Sequence, residues 1–152
     1  MSDLKGKTAI VTGASRGIGK ALASTAASLG INLTLAARTE GPLKEAAEEI
    51  RKKYKVEVLP VACDVTKLSD LENLVNKAKE KFGKIDILIN NAGVSSQYPF
   101  EKQPFEDFES LVHTNYLGYV RLIRLVINDM IKNKSGAIIN MVSGSTLCDP
   151  VP

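Results

Sequence analysis

A glycine-rich stretch constrains the fold of this chain more than any other part of the sequence. Residues 12–19 read TGASRGIG and follow the apolar run 8–11, which predicts a buried strand. A periodic apolar pattern that predicts a helix continues from the glycines to Leu29. Glycines permit a tight turn without a Cβ in the way of a ligand, and a helix N-terminus offers unpaired N–H groups to an anion. The order strand, glycine turn and helix therefore predicts a phosphate-binding junction.

The context of these glycines favours cofactor binding over an ordinary tight turn. Their spacing is G-x3-G-x-G rather than the commoner G-x-G-x-x-G, and three glycines alone would fit either interpretation. The strand before them and the helix after them are the context that a dinucleotide site requires. The residues expected to contact the cofactor here are Gly13, Ser15, Arg16, Gly17, Ile18 and Gly19.

The rest of the chain alternates apolar runs with amphipathic helical patterns. Strands are predicted at 7–11, 32–37, 56–61, 85–89 and 137–142. Helices are predicted at 17–29, at 42–54 and at 104–132, where Gly118 could bend the last of them. A further helix is predicted to end at Gly83. It would begin at a cap formed by Thr66, or by Ser69 with Glu72 as a capping box. Strands that are apolar on both faces predict a parallel sheet covered by helices on both sides. Right-handed crossovers then give an α/β, Rossmann-type, doubly wound parallel sheet of strand order 3-2-1-4-5.

Two predicted turns end at the same edge of that sheet. Ligands of doubly wound sheets bind at the carboxyl ends of the strands, where the strand order reverses, and here that point lies between the first and fourth strands. The glycine stretch follows the first strand, and Asn90-Asn91-Ala92-Gly93 follows the fourth. Sequence and topology therefore agree on one position for a site.

The residue that ends the second strand indicates which dinucleotide is bound. Arg38 stands about 20 residues after the glycine turn, where dinucleotide-binding folds recognise the 2′-position of the ribose. An acidic residue there would accept a bond from a free 2′-hydroxyl, but residues 36–39 include none. The planar guanidinium of Arg38 suits a phosphate, and Arg16 could clamp the same group. Unless both are ordinary surface residues, the two arginines favour NADP over NAD.

Asp64 is the candidate for binding the adenine. It follows the third strand at the same edge of the sheet, where its carboxylate could accept a hydrogen bond from the adenine amino group. The alternative is that it only caps the helix that follows. Its neighbour Val65 is assigned to the cofactor site with it.

Composition and charge exclude several other classes of protein. The chain has 152 residues, 44% of them hydrophobic, and a net charge of +3, with lysines and glutamates mixed on the helix faces. We therefore expect no nucleic-acid partner. No stretch approaches the ~20 apolar residues of a membrane span, and residues 1–5 lack the apolar part of a secretory signal. Cys63 and Cys148 occupy unrelated contexts, so we expect neither a disulfide nor a metal site, and a cytoplasmic location.

The chain combines several motifs, namely the glycine stretch with Thr12, Asp64, Asn90 to Gly93, Asn115 and Ser143. This combination resembles that of the short-chain dehydrogenase/reductase family. The resemblance implies hydride transfer between a nicotinamide cofactor and a small-molecule carbonyl or alcohol substrate. It also implies that Asn90 stabilises the sheet and that Asn91, Ala92 and Gly93 line the cofactor site.

Two residues are assigned catalytic roles by the same resemblance. Asn115 would hold a water in a proton relay, and Ser143 would hydrogen-bond the substrate oxygen. Asn115 lies within a predicted helix, where an amide is not favoured by propensity, although it could be an ordinary exposed asparagine. Ser143 follows the fifth strand at the edge where the cofactor loops end, and Ser145 is the competing choice.

The catalytic tyrosine and lysine of the family, spaced Tyr-x3-Lys on a helix after the serine, are not found at that place. The spacing occurs at Tyr98 and Lys102, but this pair precedes Ser143, and Pro99 disfavours a helix at the tyrosine. We therefore expect residues 1–152 to be a dinucleotide-binding domain that is incomplete at its C-terminus. On this interpretation the chain is the N-terminal part of a longer enzyme, truncated after the fifth strand and inactive by itself.

The substrate and the assembly are predicted only as classes. The resemblance extends to ketoacyl, keto-lipid and steroid reductases, and it implies a homo-oligomer for the full-length form. The alternative function is a non-catalytic dinucleotide-binding protein, acting as a sensor or a partner subunit. The coding sequence after Pro152 distinguishes the two, because a following Tyr-x3-Lys supports the enzyme and a stop codon supports the alternative.

Overall fold

The computed structural model describes residues 4–96 and 98–143, which form one parallel sheet flanked by helices. The strands are Thr8–Thr12 (β1), Asn32–Ala37 (β2), Val58–Ala62 (β3), Ile87–Asn90 (β4) and Ala137–Asn140 (β5). The helices are Gly17–Ser28 (α1), Glu40–Tyr54 (α2), Leu68–Phe82 (α3), Phe105–Val112 (α4) and Gly118–Lys132 (α5). A 3-10 turn, Phe100–Lys102, precedes α4, and a π-helical segment, His113–Leu117, joins α4 to α5.

The sheet confirms the fold predicted from the sequence. Its strand order is β3-β2-β1-β4-β5, and the pairings between neighbouring strands are parallel. β1 lies between β2 and β4, with Val11 opposite Leu35 on one side and Ile89 on the other. The strand order therefore reverses between β1 and β4, and the carboxyl ends of these strands meet at one edge.

Two clusters of buried side chains, one on each face, fix the register of the sheet. On one face Leu43 of α2 packs in a cluster with Val11 and Leu33. On the other face Leu122 of α5 packs in a cluster with Ile10 and other strand residues. Burying a leucine side chain contributes roughly 2 kcal/mol, and a shift of one residue would exchange the faces of every side chain in a strand.

The start of α3 differs from the prediction. The sequence predicted a cap at Thr66 or at Ser69, whereas the helix begins at Leu68, and the capping position, Lys67, makes no side-chain cap bond. The hydroxyl of Thr66 donates instead to the carboxylate of Asp64, at 2.8 Å. The hydroxyl of Thr66 thus forms a turn with Asp64 at the carboxyl edge of the sheet instead of capping α3.

The long predicted helix at 104–132 is interrupted before Gly118 rather than at it. The interruption is the π-helical segment His113–Leu117, and α5 begins at Gly118. A Cβ at Gly118 would lie 3.1 Å from the carbonyl oxygen of Val65, so the glycine allows α5 to approach the loop after β3 closely. π-helical turns inside helices are frequent at functional sites.

A buried carboxylate, Asp86, joins the amino ends of β1 and β4. It is 7% exposed, and one of its oxygens accepts a hydrogen bond of 2.9 Å from the N–H of Thr8. The other oxygen lies 3.0 Å from Nζ of Lys84 and 3.5 Å from Nζ of Lys7. Burial raises the pKa of Asp86, but the bonds from Lys84 and Thr8 and the charge of Lys7 together hold the pKa below its ordinary value.

We predict that Asp86→Asn lowers the free energy of unfolding at pH 7 by about 2 kcal/mol, because two lysines lose their partner and charged hydrogen bonds are lost. A lowered pKa in the folded state stabilises the fold above the unfolded pKa, and this contribution is lost as the pH falls through the folded value. The difference between wild type and variant should therefore narrow below about pH 4. Urea denaturation at several pH values measures it. A difference that stays constant to pH 3 would contradict the ion-pair explanation.

Candidate functional site

A cavity of about 550 Å³ lies at the carboxyl edge of the sheet. It is bordered by the ends of β1, β2, β3 and β4 and by the first turn of α1. The structure brings together in its lining all the residues that the sequence assigned to a cofactor, namely Gly13, Ser15, Arg16, Gly17, Ile18, Gly19, Arg38, Asp64, Val65, Asn91, Ala92 and Gly93. The volume lies within the range of small-molecule sites in proteins.

Two glycines of the turn after β1 are required for different reasons. A Cβ at Gly19 would lie 2.2 Å from the carbonyl oxygen of Gly13, so a side chain at Gly19 would force the turn apart. Gly17 has a φ of +55°. Apart from its chain neighbours and the backbone of its own helix, no described residue comes within 4 Å of an added Cβ, so the space beside Gly17 is open. Gly19 therefore allows the turn to close on itself, and Gly17 allows the backbone to face the cavity.

Thr12 holds the two turns of the cavity together, and the sequence analysis did not assign it this role. Its Oγ1 accepts hydrogen bonds from the N–H groups of Asn91, at 2.9 Å, and of Ala92, at 3.0 Å. The side-chain Nδ2 of Asn91 donates in return to the carbonyl oxygen of Thr12, at 2.9 Å. The only local signal for this role was a hydroxyl at the end of an otherwise apolar strand.

Asp64 is held in a fixed orientation after β3. Its Oδ1 accepts from the N–H of Thr66, at 3.0 Å, and from the hydroxyl of the same residue. Its own N–H donates to Oδ2 of Asp70, at 3.0 Å. Burial raises the pKa of Asp64, but the two bonds from Thr66 and the charge of Arg38 outweigh it and hold the pKa below its ordinary value. The carboxylate is therefore ionised at neutral pH. Within the described part of the chain the hydrogen bonds to this carboxylate go to Oδ1, so Oδ2 can accept a further bond.

Arg16 and Arg38 are exposed and line the mouth of the cavity. Among the described residues, neither arginine takes part in a salt bridge. Both guanidinium groups are thus available to an anion that enters the cavity.

The residues assigned to catalysis lie outside the lining of the cavity. Both polar atoms of the Asn115 side chain bind the backbone of Val94, with Oδ1 accepting from its N–H at 2.9 Å and Nδ2 donating to its carbonyl oxygen at 2.8 Å. Asn115 lies in the π-helical segment and fixes the chain just after Gly93. Ser143 is exposed three residues after β5, and Ser145 lies outside the described residues.

Asn90 connects the last two strands of the sheet. It is 1% exposed, and its Nδ2 donates to Oδ1 of Asn140 across the β4–β5 pairing, at 2.9 Å. The bond crosses from a buried position to an exposed one, since Asn140 lies at the surface.

Sequence reasoning missed some residues of the cavity, of which Cys63 is the most distinctive. The thiol is 3% exposed, and burial, with the charges of Asp70 and Asp64, raises its pKa to about 12. Cys63 is therefore a neutral, unreactive wall residue at physiological pH. The other lining residues that were not predicted are Ala36, Ala37, Thr39, Pro42, Val94 and Thr114.

Comparison with known proteins identifies the family to which this architecture belongs. A family model described as short chain dehydrogenase matches residues 7–150. The chain belongs to the short-chain dehydrogenase/reductase family. The match covers the glycine turn and the residues that line the cavity, which confirms the resemblance drawn from the sequence motifs.

One curated relative of this short-chain dehydrogenase/reductase is the NADP-dependent 3-hydroxy acid dehydrogenase of Schizosaccharomyces pombe. It is 35% identical over 159 residues, and the match covers 97% of this chain and 61% of the relative. The chain spans about half to three fifths of the length of curated relatives that it matches.

Solved structures of the family hold either nicotinamide dinucleotide. An NAD+-bound xylitol dehydrogenase has a TM-score of 0.92 at 31% identity, covering 98% of this chain and 57% of its own. A metagenomic short-chain oxidoreductase in complex with NADP has a TM-score of 0.88 at 33% identity, covering 99% of this chain and 67% of its own. Within residues 4–96 and 98–143, no helix is long and apolar enough to cross a membrane.

We predict that Thr12→Val lowers the free energy of unfolding by about 2 kcal/mol, because the N–H groups of Asn91 and Ala92 lose their acceptor in a partly buried position. Thr12→Ser keeps the hydroxyl and should cost about 1 kcal/mol or less. Urea denaturation followed by far-UV circular dichroism compares the two variants with the wild type. Equal losses for valine and serine would show that the hydroxyl does not hold the turns.

Proposed function

We propose that this chain binds NADP in the cavity and supplies the dinucleotide-binding domain, residues 1–152, of a short-chain oxidoreductase. The reaction would transfer hydride between the nicotinamide and a small carbonyl or alcohol substrate. The single observation that carries this proposal is the convergence of the glycine turn, Arg38 and Asp64 on one cavity. Each of these elements has the chemistry of one part of the dinucleotide.

The pyrophosphate is proposed to bind at the first turn of α1. That helix begins at Gly17 without a side-chain cap and without an acidic residue in its first turn. Its first N–H groups and the positive end of its dipole are thus available for an anion. The open space beside Gly17 would let the phosphates approach the backbone.

The two ends of the adenosine part are proposed to bind Asp64 and the arginines. Oδ2 of Asp64 would accept from the adenine amino group, with Val65 beside it in the cavity wall. Arg38 and Arg16 would bind the 2′-phosphate, which supports NADP as the preferred cofactor and NAD as the weaker one.

The nicotinamide would lie toward Asn91, Ala92 and Gly93, and NADPH supplies the hydride when it is bound. Asn115 would support the proton relay by holding Val94 in place and by retaining a water near the bend of the helix. Ser143 would donate a hydrogen bond to the substrate oxygen and polarise the carbonyl.

Proton transfer needs an acid, and within residues 4–96 and 98–143 no helix carries a tyrosine followed four positions later by a lysine. Tyr98 precedes the 3-10 turn Phe100–Lys102, so Tyr98 and Lys102 do not share a helix. We propose that the catalytic tyrosine and lysine come from outside residues 1–152 and that this chain alone binds NADP without turnover.

The substrate is proposed to be a ketoacyl, keto-lipid or steroid-like molecule. The name of the relative from Schizosaccharomyces pombe supports an oxygenated acyl compound within that class. The partner of the full-length protein is proposed to be a second copy, since α4 and the segments beside it expose Phe100, Phe105, Phe108, Val112 and Tyr116.

Fluorescence titration with NADPH and NADH tests the cofactor assignment. We predict that wild type binds NADPH more tightly and that Arg38→Asp shifts the ratio of dissociation constants toward NADH by about tenfold or more, because a carboxylate repels the 2′-phosphate and accepts from a free 2′-hydroxyl. Lys52→Asp makes the same change of charge on an exposed part of α2 outside the cavity and should leave the ratio unchanged. An unchanged ratio in Arg38→Asp would remove Arg38 from cofactor recognition.

A further inference from the structure

Arg121 of α5 makes a long-range contact that the proposed function does not use. Its Nη1 donates to the carbonyl oxygen of Thr66, at 2.8 Å, across 55 positions of the sequence. Arg121 is half-buried, and it does not line the cavity. The guanidinium therefore contacts the loop after β3 on the side that does not line the cavity.

Thr66 transmits this contact to the cavity. The residue whose carbonyl oxygen binds Arg121 is the same residue whose N–H and hydroxyl hold Oδ1 of Asp64, at 3.0 and 2.8 Å. A chain of three hydrogen bonds thus runs from the guanidinium of Arg121 through Thr66 to the carboxylate of Asp64. When its carbonyl oxygen is bound by Arg121, Thr66 is less free to rotate. Its N–H and its hydroxyl, the two donors to Asp64, are therefore held in place.

The packing of α5 gives this chain of hydrogen bonds a rigid support. Val65 is 8% exposed and belongs to the same buried cluster as Leu122 of α5. Gly118, one turn before Leu122, leaves room for the backbone of Val65 against the helix. Because Gly118, Arg121 and Leu122 share one face of α5, the helix fixes the loop through a backbone contact, a hydrogen bond and a buried side chain together.

We propose that Arg121 is a positioning residue for recognition of the adenine base. By binding the carbonyl oxygen of Thr66, Arg121 restrains the residue that holds Oδ1 of Asp64, and it thereby keeps Oδ2 directed at the exocyclic amino group of the purine. This inference rests on the proposed function, since it assumes that a dinucleotide places its adenine beside Asp64. Arg121 would influence which purine is accepted without touching the ligand.

The experiment compares NADPH with its hypoxanthine analogue, in which a carbonyl oxygen replaces the adenine amino group. A carboxylate cannot accept a bond from that carbonyl, so wild type should bind NADPH more tightly by about tenfold or more. In Arg121→Gln the ratio of the two dissociation constants should fall by about threefold or more, because the Asp64 carboxylate is less firmly oriented. Both constants are read from the fluorescence of the reduced nicotinamide.

A matched control and a second variant distinguish a loss of positioning from a loss of folding. Arg124→Gln makes the same substitution at an exposed position of α5 and should keep the wild-type ratio. Because the ratio compares two ligands on the same folded molecules, a smaller folded fraction does not change it. Arg121→Met keeps the length of the side chain without its donors, and it serves the same measurement if the glutamine variant does not fold.

The outcomes separate this inference from the function on which it rests. A wild-type ratio in a folded Arg121 variant overturns the positioning role and leaves NADP binding intact. A wild type that binds NADPH without discriminating against hypoxanthine overturns the inference through Asp64 instead. A wild type that does not bind NADPH overturns the proposed function, and the inference with it.

Discussion

The hydroxyl of Thr12 is the interaction on which the cavity depends. It accepts from two successive N–H groups after β4, and the Asn91 amide returns a bond to the backbone of β1. These bonds join two turns that are distant in sequence, since Asn91 and Ala92 lie 79 and 80 positions after Thr12. Gly19 also lies against the carbonyl oxygen of Gly13, so the turn after β1 is tightly closed beside these bonds. The space for a ligand exists because the two turns are held side by side at the reversal of strand order.

The opposite edge of the sheet is stabilised by a different kind of interaction. Asp86 joins β1 to β4 through the backbone of Thr8 and two lysines, so its charge is neutralised where it is buried. At the carboxyl edge, in contrast, Arg16 and Arg38 stand beside a helix N-terminus, which leaves an excess of positive charge. The sheet thus carries a compensated charge at the amino ends of β1 and β4 and an anion-attracting surface at the carboxyl ends of β1 and β2.

The helical stretch from α4 to α5 supports both ends of the cavity. Asn115, in the π-helical segment, holds Val94 after β4, and Arg121, nearly two turns later, holds Thr66 after β3. Gly118 lies between them and allows the helix to contact Val65. A regular α-helix over the whole stretch would present Asn115 and Arg121 at other angles, because the π-helical segment changes the rotation between them. The π-helical segment therefore lets one helical stretch contact both the loop after β3 and the loop after β4.

The strand order and the residues assigned to the cofactor could be predicted from the sequence, because alternating apolar runs and a glycine turn are local patterns with one compatible α/β topology. Residues that end strands at the same edge, such as Arg38 and Asp64, could be grouped from that topology alone. The turn between Asp64 and Thr66, which replaces the predicted cap of α3, is a local contact that competed with another local pattern. The roles of Thr12, Asn115 and Arg121, in contrast, became visible only in the folded chain. A hydrogen-bond partner that is distant in sequence leaves no periodic or local signal, because its distance and direction are set by how the helices pack on the sheet.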